Sequence, residues 1–183
     1  MPRMQIDLPE AWLFRTRLTV RVGDVNYGGH LGNDRVLGLV HEARVRWLAS
    51  CGLSEKDVGG PGLIMADAAL AFRGEAFLGD ELEVELGATD VRRSGFGLVY
   101  RLRRVGDGAD IALVSTGMVC FDYAVRRVAR ERLMASGTTA RFSRTQMMSA
   151  DFIATSVPLT IARPRSAVAS AAASLIPSPT MAT

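Results

Sequence analysis

Long apolar runs are missing from this chain of 183 residues. No stretch approaches the roughly 20 apolar residues that span a bilayer. The N-terminus, MPRMQIDLPEAW, has no apolar signal core. The cytoplasm is therefore the expected location, with no membrane partner. Cysteine is scarce: Cys51 and Cys120 are spaced neither as a metal knuckle nor as a redox pair, and a disulfide between them has no secretory context to support it. Histidine is equally scarce. His30 and His41 stand without the cysteine or carboxylate grouping that holds zinc, so no metal is expected. A lysine-bearing phosphate loop and a dinucleotide-binding glycine pattern are also lacking, which leaves no cofactor to expect. An excess of charge is lacking too. The formal net charge is +3, and residues 135–183 account for it with Arg141, Arg144, Arg163 and Arg165 against Asp151 alone. The neutral remainder argues against a nucleic-acid partner.

What is present is an ordinary globular composition, 48% hydrophobic and 22% charged, at a length that fits one domain. Leu13 to Val22 alternates imperfectly between apolar and polar and reads as a half-buried strand. The segment GDVNYGGHLGND, residues 23–34, then brings four glycines into a loop. Asn33 or Asp34 opens the one long helical pattern, to about Ser50, with Val36, Val40, Ala43 and Trp47 at spacings of three and four. Gly38 inside it costs up to about 1 kcal/mol against Ala, which either a close backbone neighbour or simple tolerance explains. From Leu63 the period falls to two. Leu63–Phe72, a run around Leu82–Leu86, Phe96–Arg103 and Ile111–Phe121 read as four strands, joined by turns short enough to favour antiparallel pairing. One apolar helix and such a sheet make an α+β layer, and the helix is apolar around enough of its circumference to ask for a sheet that curls about it. The weakly polar last strands fit an interface between subunits. A helix-like stretch, Arg126 to Ala135, closes a domain of residues 1–135. The Ser/Thr/Ala/Pro-rich tail, 136–183, is expected to be mostly disordered.

One dense polar cluster carries the chemistry: Asp24, Asn26, Tyr27, His30, Asn33 and Asp34, followed by His41 and Glu42. A glycine-rich loop entering a helix exposes backbone N–H groups, and the helix dipole adds to their pull on negative charge. A thioester carbonyl placed there is polarised as its oxygen becomes anionic. Gly28, Gly29 and Gly32 leave room for close approach, which makes Gly29, Gly32, Asn33 and Tyr27 the candidate substrate-binding residues. Asp24 and Glu42 are the available carboxylates and His30 the available imidazole. Glu42 suits a base unless Arg35 or Arg46 pairs with it. The alternative for Asp24 is to cap loop backbone, and His41 points to a structural or interface role. Cys51, with no histidine beside it, reads as a buried structural thiol.

Residues 20–48, VRVGDVNYGGHLGNDRVLGLVHEARVRWL, resemble the opening of the 4-hydroxybenzoyl-CoA thioesterase-like branch of the hotdog superfamily. The branch shows an Asp, a second acidic residue two places later, Gly-His, an Asn, and Glu-Ala-Arg in the helix. They stand here as Asp24, Asn26, Gly29-His30, Asn33 and Glu42-Ala43-Arg44. RRSGFGLVYRL and ALVSTGMVCFDY look like its third and last strands. The resemblance implies the hotdog fold, a long central helix wrapped by a curved antiparallel sheet, in homodimers or homotetramers with active sites at the dimer interface. It also implies hydrolysis of acyl-CoA or acyl-carrier-protein thioesters without a metal.

The departure is Asn26, which stands where the branch carries its working carboxylate. An amide cannot serve as base or nucleophile, although it can orient water or substrate. Glu42, Asp24 or His30 must then do that work, and Glu42 with His30 and Asn26 orienting is the favoured arrangement. Asn26 also motivates the competing function, a non-catalytic acyl-thioester-binding protein. A hydratase or dehydratase acting on an enoyl or 3-hydroxyacyl thioester is the third.

Overall fold

The computed structural model describes residues 4–129 apart from Arg93. Six strands and one long helix follow each other as β1 (Phe14–Thr19), α1 (Asn33–Ser50), β2 (Gly62–Phe72), β3 (Glu81–Arg92), β4 (Gly95–Arg104), β5 (Asp110–Asp122) and β6 (Arg127–Val128). The strands form one antiparallel sheet in the order β1-β3-β4-β5-β2, with the short β6 on β5. This is the α+β hotdog arrangement that the residue pattern and the resemblance had pointed to.

Alternation fixes which face meets the helix. Leu82, Val84 and Leu86 of β3, Leu98, Tyr100 and Leu102 of β4, and Ala112, Val114, Met118 and Cys120 of β5 are all buried on the inner face. Against them α1 sets Val36, Leu39, Val40, Ala43, Trp47 and Leu48, in one continuous core. Each large side chain buried there contributes about 1.5–3 kcal/mol. The helix stops at Gly52, whose φ of 72° is a left-handed cap. The Gly52 amide donates to the Ala49 carbonyl and the Leu53 amide to that of Leu48.

The outer face carries charges in cross-strand ladders: Arg15 opposite Glu85 opposite Arg101, and Arg17 opposite Glu83 opposite Arg103. Glu85 is only 1% exposed. It lies 2.9 Å from Arg15 Nε and accepts from Arg101 Nε at 2.6 Å. The N-terminal segment seals it, because the Arg101 guanidinium lies over the Trp12 ring and a Cβ on Gly87 would strike Pro9.

Two expectations change. The sheet is open rather than strongly curled, with β1 and β2 as free edges. The helix needs no fuller wrapping, because Arg35, Gly38, His41, Val45 and Ala49 line a solvent-facing stripe. Among the described residues nothing lies within 4 Å of a Cβ built on Gly38, which favours simple tolerance of the two explanations. Within the supposed closing helix, residues 127–128 are strand instead. Asp122 Oδ1 accepts the Ala124 and Val125 amides, and Arg126 takes a φ of 52°, which together make a hairpin turn and interrupt helical geometry. Residues 130–135 and the proposed tail lie outside the described residues.

Candidate functional site

The loop before α1 is folded by its own backbone. Val22–Asp24 make a 3-10 turn, and Asp24 Oδ2 accepts the Arg21 amide at 2.8 Å. Asn26 closes the next turn: its amide donates to the His30 carbonyl, its carbonyl accepts from Gly29, and its side-chain Oδ1 accepts the Gly28 amide at 2.8 Å. The His30 ring folds over Gly28, where a Cβ would come within 2.9 Å of Nε2. His30 Nδ1 lies 3.5 Å from Asn26 Nδ2 and 3.3 Å from the Leu31 carbonyl. The Leu31 amide, donating to the Ala76 carbonyl, ties this loop to the approach to β3.

These bonds decide which amides remain for a ligand. Gly28 and Gly29 spend theirs on the turn, and Gly32 donates to the Asp24 carbonyl at 2.8 Å. Gly32 is the N-cap of α1 and supplies no side-chain cap. The first helical amide, that of Asn33, has no intrahelical acceptor by position, and Asn33 is exposed. The loop thus directs its glycines into its own turn and leaves the helix start open.

Glu42 is half-buried, its side chain 34% exposed. Arg46 Nη2 donates to Glu42 Oε1 at 2.6 Å, and Arg21 Nη2 stands 3.8 Å from the same oxygen. Arg46 also donates to Thr16 Oγ1 and the Arg17 carbonyl, so it ties Glu42 to β1. Arg35 turns to Asp34 instead. Nine residues separate Glu42 from Asn33, about 13 Å of helix. One chain therefore does not bring the open amide and this carboxylate together. Asp24 does lie beside the helix start. Tyr27 is wholly exposed at 108%, and Val22, Phe77 and Leu78 are exposed as well. Cavities of about 310 and 930 Å³ lie elsewhere on the protomer.

A second polar group, not foreseen from the sequence, sits midway along α1. Arg44 is buried and donates through Nε to Glu55 Oε1 at 2.6 Å, while His41 Nε2 lies 2.9 Å from Oε2. Burial opposes ionisation of Glu55, yet bonds from Arg44 and His41 overcome it and hold the carboxyl below its usual range. Behind Arg44, the buried Tyr100 and Thr116 hydroxyls lie near each other, and among the described residues neither meets a partner in full hydrogen-bond geometry. Burial pushes the Tyr100 phenol up, against the opposing pull of Arg44. Glu55 lies 11 and 14 residues from its partners, and no local sequence pattern signals it. Both cysteines are free; Cys120 is buried, whereas Cys51 is only partly so. Among the described residues no group of His, Cys, Asp and Glu could hold a metal, and no helix is long and apolar enough to cross a membrane.

One helix packed on a five-strand antiparallel path, with an open glycine-lined helix start, defines a hotdog protein. The thioesterase-like superfamily model matches residues 20–156, more than half of the chain, and the protein belongs to that family. A 1,4-dihydroxy-2-naphthoyl-CoA thioesterase from Synechocystis is 28% identical, with a TM-score of 0.59 over 64% of this chain and 88% of the other. A DHNA-CoA thioesterase from Staphylococcus aureus shares the fold at a TM-score of 0.65 and 15% identity, over 75% and 93% of the two chains. A thioesterase-superfamily protein from Jannaschia does so at 0.60 and 17%, over 73% and 86%. No curated protein matches.

Proposed function

We propose that this protein hydrolyses an acyl thioester, an acyl-CoA or acyl-carrier-protein conjugate, as a cytoplasmic homodimer or homotetramer. The open helix start carries the reading. A carbonyl oxygen set against the Asn33 amide gains a hydrogen bond and the positive end of the helix dipole, and both strengthen as the oxygen becomes anionic. Asn26 and His30 flank that position and orient substrate and water, and Tyr27 covers the acyl portion together with Gly29 and Gly32.

Glu42 is the base, acting in the neighbouring subunit's site, since the 13 Å separation along α1 forbids the same-chain pairing. Its Oε1 is held by Arg46, while Oε2 accepts a proton from water. That water attacks the carbonyl carbon. The tetrahedral intermediate then expels the thiolate, which takes the proton back from Glu42, and a carboxylic acid and a free thiol leave. The position of β2 at an edge of the described sheet and the exposure of Tyr27, Val22, Phe77 and Leu78 support assembly with a second subunit.

Thiol release from a panel of acyl-CoAs tests the reading, with crotonyl-CoA hydration as the control for hydratase chemistry. Glu42→Gln lowers kcat by about 10²–10⁴ with unchanged helical content. Mixing Glu42→Gln subunits with Asn33→Pro subunits restores activity, because a hybrid dimer holds one site with both intact groups. Restoration failing in proven hybrids refutes the cross-subunit arrangement. Asn26 favours one other reading, acyl-thioester binding without turnover, which saturable binding with no thiol release across the panel establishes instead.

A further inference from the structure

Two cations, Lys56 and Arg127, have no ion-pair partner among the described residues, although acidic residues stand beside both. The carboxylates flanking Lys56 turn elsewhere: Glu55 to Arg44 and His41, and Asp57 Oδ1 to the Gly59 and Gly60 amides. Arg127 stands opposite Asp122 in the β5–β6 register, but Asp122 Oδ1 accepts the Ala124 and Val125 amides. Both cations line one cavity of about 930 Å³, between the loop that precedes β2 and the β5–β6 hairpin.

Pro61, Gly62 and Tyr123 line the same cavity. Tyr123 is 54% exposed, yet its ring is held in place. Its hydroxyl donates to the Leu63 carbonyl at 3.2 Å, and the ring packs edge-on against Phe121. A Cβ on Gly62 would strike that ring, so the glycine makes room for it. A fixed aromatic ring with an open side, beside two unspent cations, suits a nucleotide. The base stacks on the ring and the phosphates meet the cations. The volume falls within the roughly 300–1,000 Å³ of small-molecule sites.

From this cavity a path leads along α1 to the helix start. Lys56 follows Glu55, whose Oε2 lies 2.9 Å from His41 Nε2. His41 belongs to the solvent-facing stripe of α1, about 12 Å of helix from Asn33. Gly38 lies on that stripe between them, exposed, with nothing among the described residues within 4 Å of a Cβ built there. The pantetheine arm of coenzyme A extends about 15 Å at ordinary bond lengths, enough for this stretch.

We propose that the cavity binds the nucleotide end of coenzyme A, with phosphates on Lys56 and Arg127 and the adenine on Tyr123, while the pantetheine arm runs over Gly38 toward the Asn33 amide. The direction of the arm rests on the thioester reading of the helix start; the nucleotide site stands on its own residues. Gly38 has no protein neighbour to make way for, and in this arrangement it makes way for the arm.

Calorimetric titration of the full chain with coenzyme A, adenosine 3′,5′-bisphosphate and pantetheine tests the site without relying on turnover. Coenzyme A binds more tightly than the bisphosphate, which lacks the arm, and the bisphosphate displaces it. Lys56→Ala with Arg127→Ala weakens both nucleotides at least about ten-fold and leaves pantetheine unchanged. Gly38→Gln, which raises helix propensity and so keeps the fold, weakens coenzyme A and spares the bisphosphate. Unchanged coenzyme A affinity in the double variant overturns the nucleotide site, and unchanged affinity in Gly38→Gln overturns the path of the arm. A bisphosphate that binds as tightly as coenzyme A also overturns the proposal, because the occupant is then a free nucleotide. Thiol release assayed alongside keeps the two readings apart. Its absence, with coenzyme A binding that depends on Lys56 and Arg127, refutes hydrolysis and supports the site.

Discussion

The amide of Asn33 cannot be removed by changing a side chain, but the position of Asn33 in the helix offers another route. Asn33 follows the N-cap Gly32 and is therefore the first helical residue, where proline is favoured because its missing N–H has no intrahelical role. The residue before a proline must be extended, and Gly32 already has φ −66° and ψ 139°. Asn33→Pro thus deletes one hydrogen-bond donor at almost no cost to the fold. Asn33→Ala is the matched control, since it loses the same side chain and keeps the amide. If the thioester oxygen is held there, Asn33→Pro lowers kcat/KM by about 10²–10³ relative to Asn33→Ala, the 2.7–4 kcal/mol typical of one oxyanion donor. Steady-state thiol release measures the ratio, and thermal melts of both variants check that the helix is intact. Equal kcat/KM in the two variants, with equal melting temperatures, would refute a carbonyl held at the helix start.

Three further outcomes follow from other parts of the structure. Asn26→Asp keeps one oxygen on the Gly28 amide and turns the other toward His30. It raises kcat by about ten-fold or more and makes activity less sensitive to Glu42→Gln; an unchanged rate sinks that expectation. Thr116→Val removes a buried hydroxyl that meets no partner in full hydrogen-bond geometry among the described residues, so it stabilises the protein by about 1–3 kcal/mol and raises Tm by roughly 3–8 °C. A lowered Tm shows that the hydroxyl is paired in solution. Acid unfolding reports two depressed carboxyls. A hydrogen bond from Arg104, helped by the Ala109 amide, holds Asp107 down at about 2, and Glu55 lies below its ordinary 4.5. For both, the stabilisation is complete above the unfolded value and is lost as pH falls through the folded one. The loss from Asp107 falls between 3.8 and about 2. Asp107→Asn and Glu55→Gln therefore flatten the stability curve below about pH 4.5, as urea melts at stepped pH measure.

The fold was legible because its signals are local and periodic. The spacing of Val36, Val40, Ala43 and Trp47 marks a helix wherever it packs, and the period-two runs mark strands. The end of β5 misled, because RRVARERLMA has good helix formers and the break comes from Asp122 and from the Arg126 backbone angle, neither visible in a propensity count. The candidate site was legible as a cluster but not as a geometry. Asp24, Asn26, His30 and Asn33 do gather at the helix start. That Gly28, Gly29 and Gly32 spend their amides on the loop itself depends on bonds to Asn26 and Asp24, which composition does not reveal. Arg44 with Glu55, and Tyr100 with Thr116, are brought together by tertiary packing alone.

The proposal that Glu42 is the base rests on magnitudes rather than on the absence of an arginine. Its pair with Arg46 joins side chains that are 34% and 43% exposed, and such a pair contributes only about 0.2–1 kcal/mol once solvent screens it. A general base contributes 10²–10⁴ in rate, about 3–5 kcal/mol. The pairing is thus too weak to withdraw the carboxylate from chemistry, and strong enough to fix which oxygen faces outward. Distance is the harder constraint. No side-chain rotation closes 13 Å along a rigid helix, and Asp24, beside the helix start, has Oδ2 engaged by the Arg21 amide much as Glu42 has Oε1 engaged by Arg46. In the proposed arrangement, with an amide at position 26, the carboxylate that readies water comes across a subunit boundary. In such a proposed dimer, two-fold symmetry would build both sites from the same pair of residues.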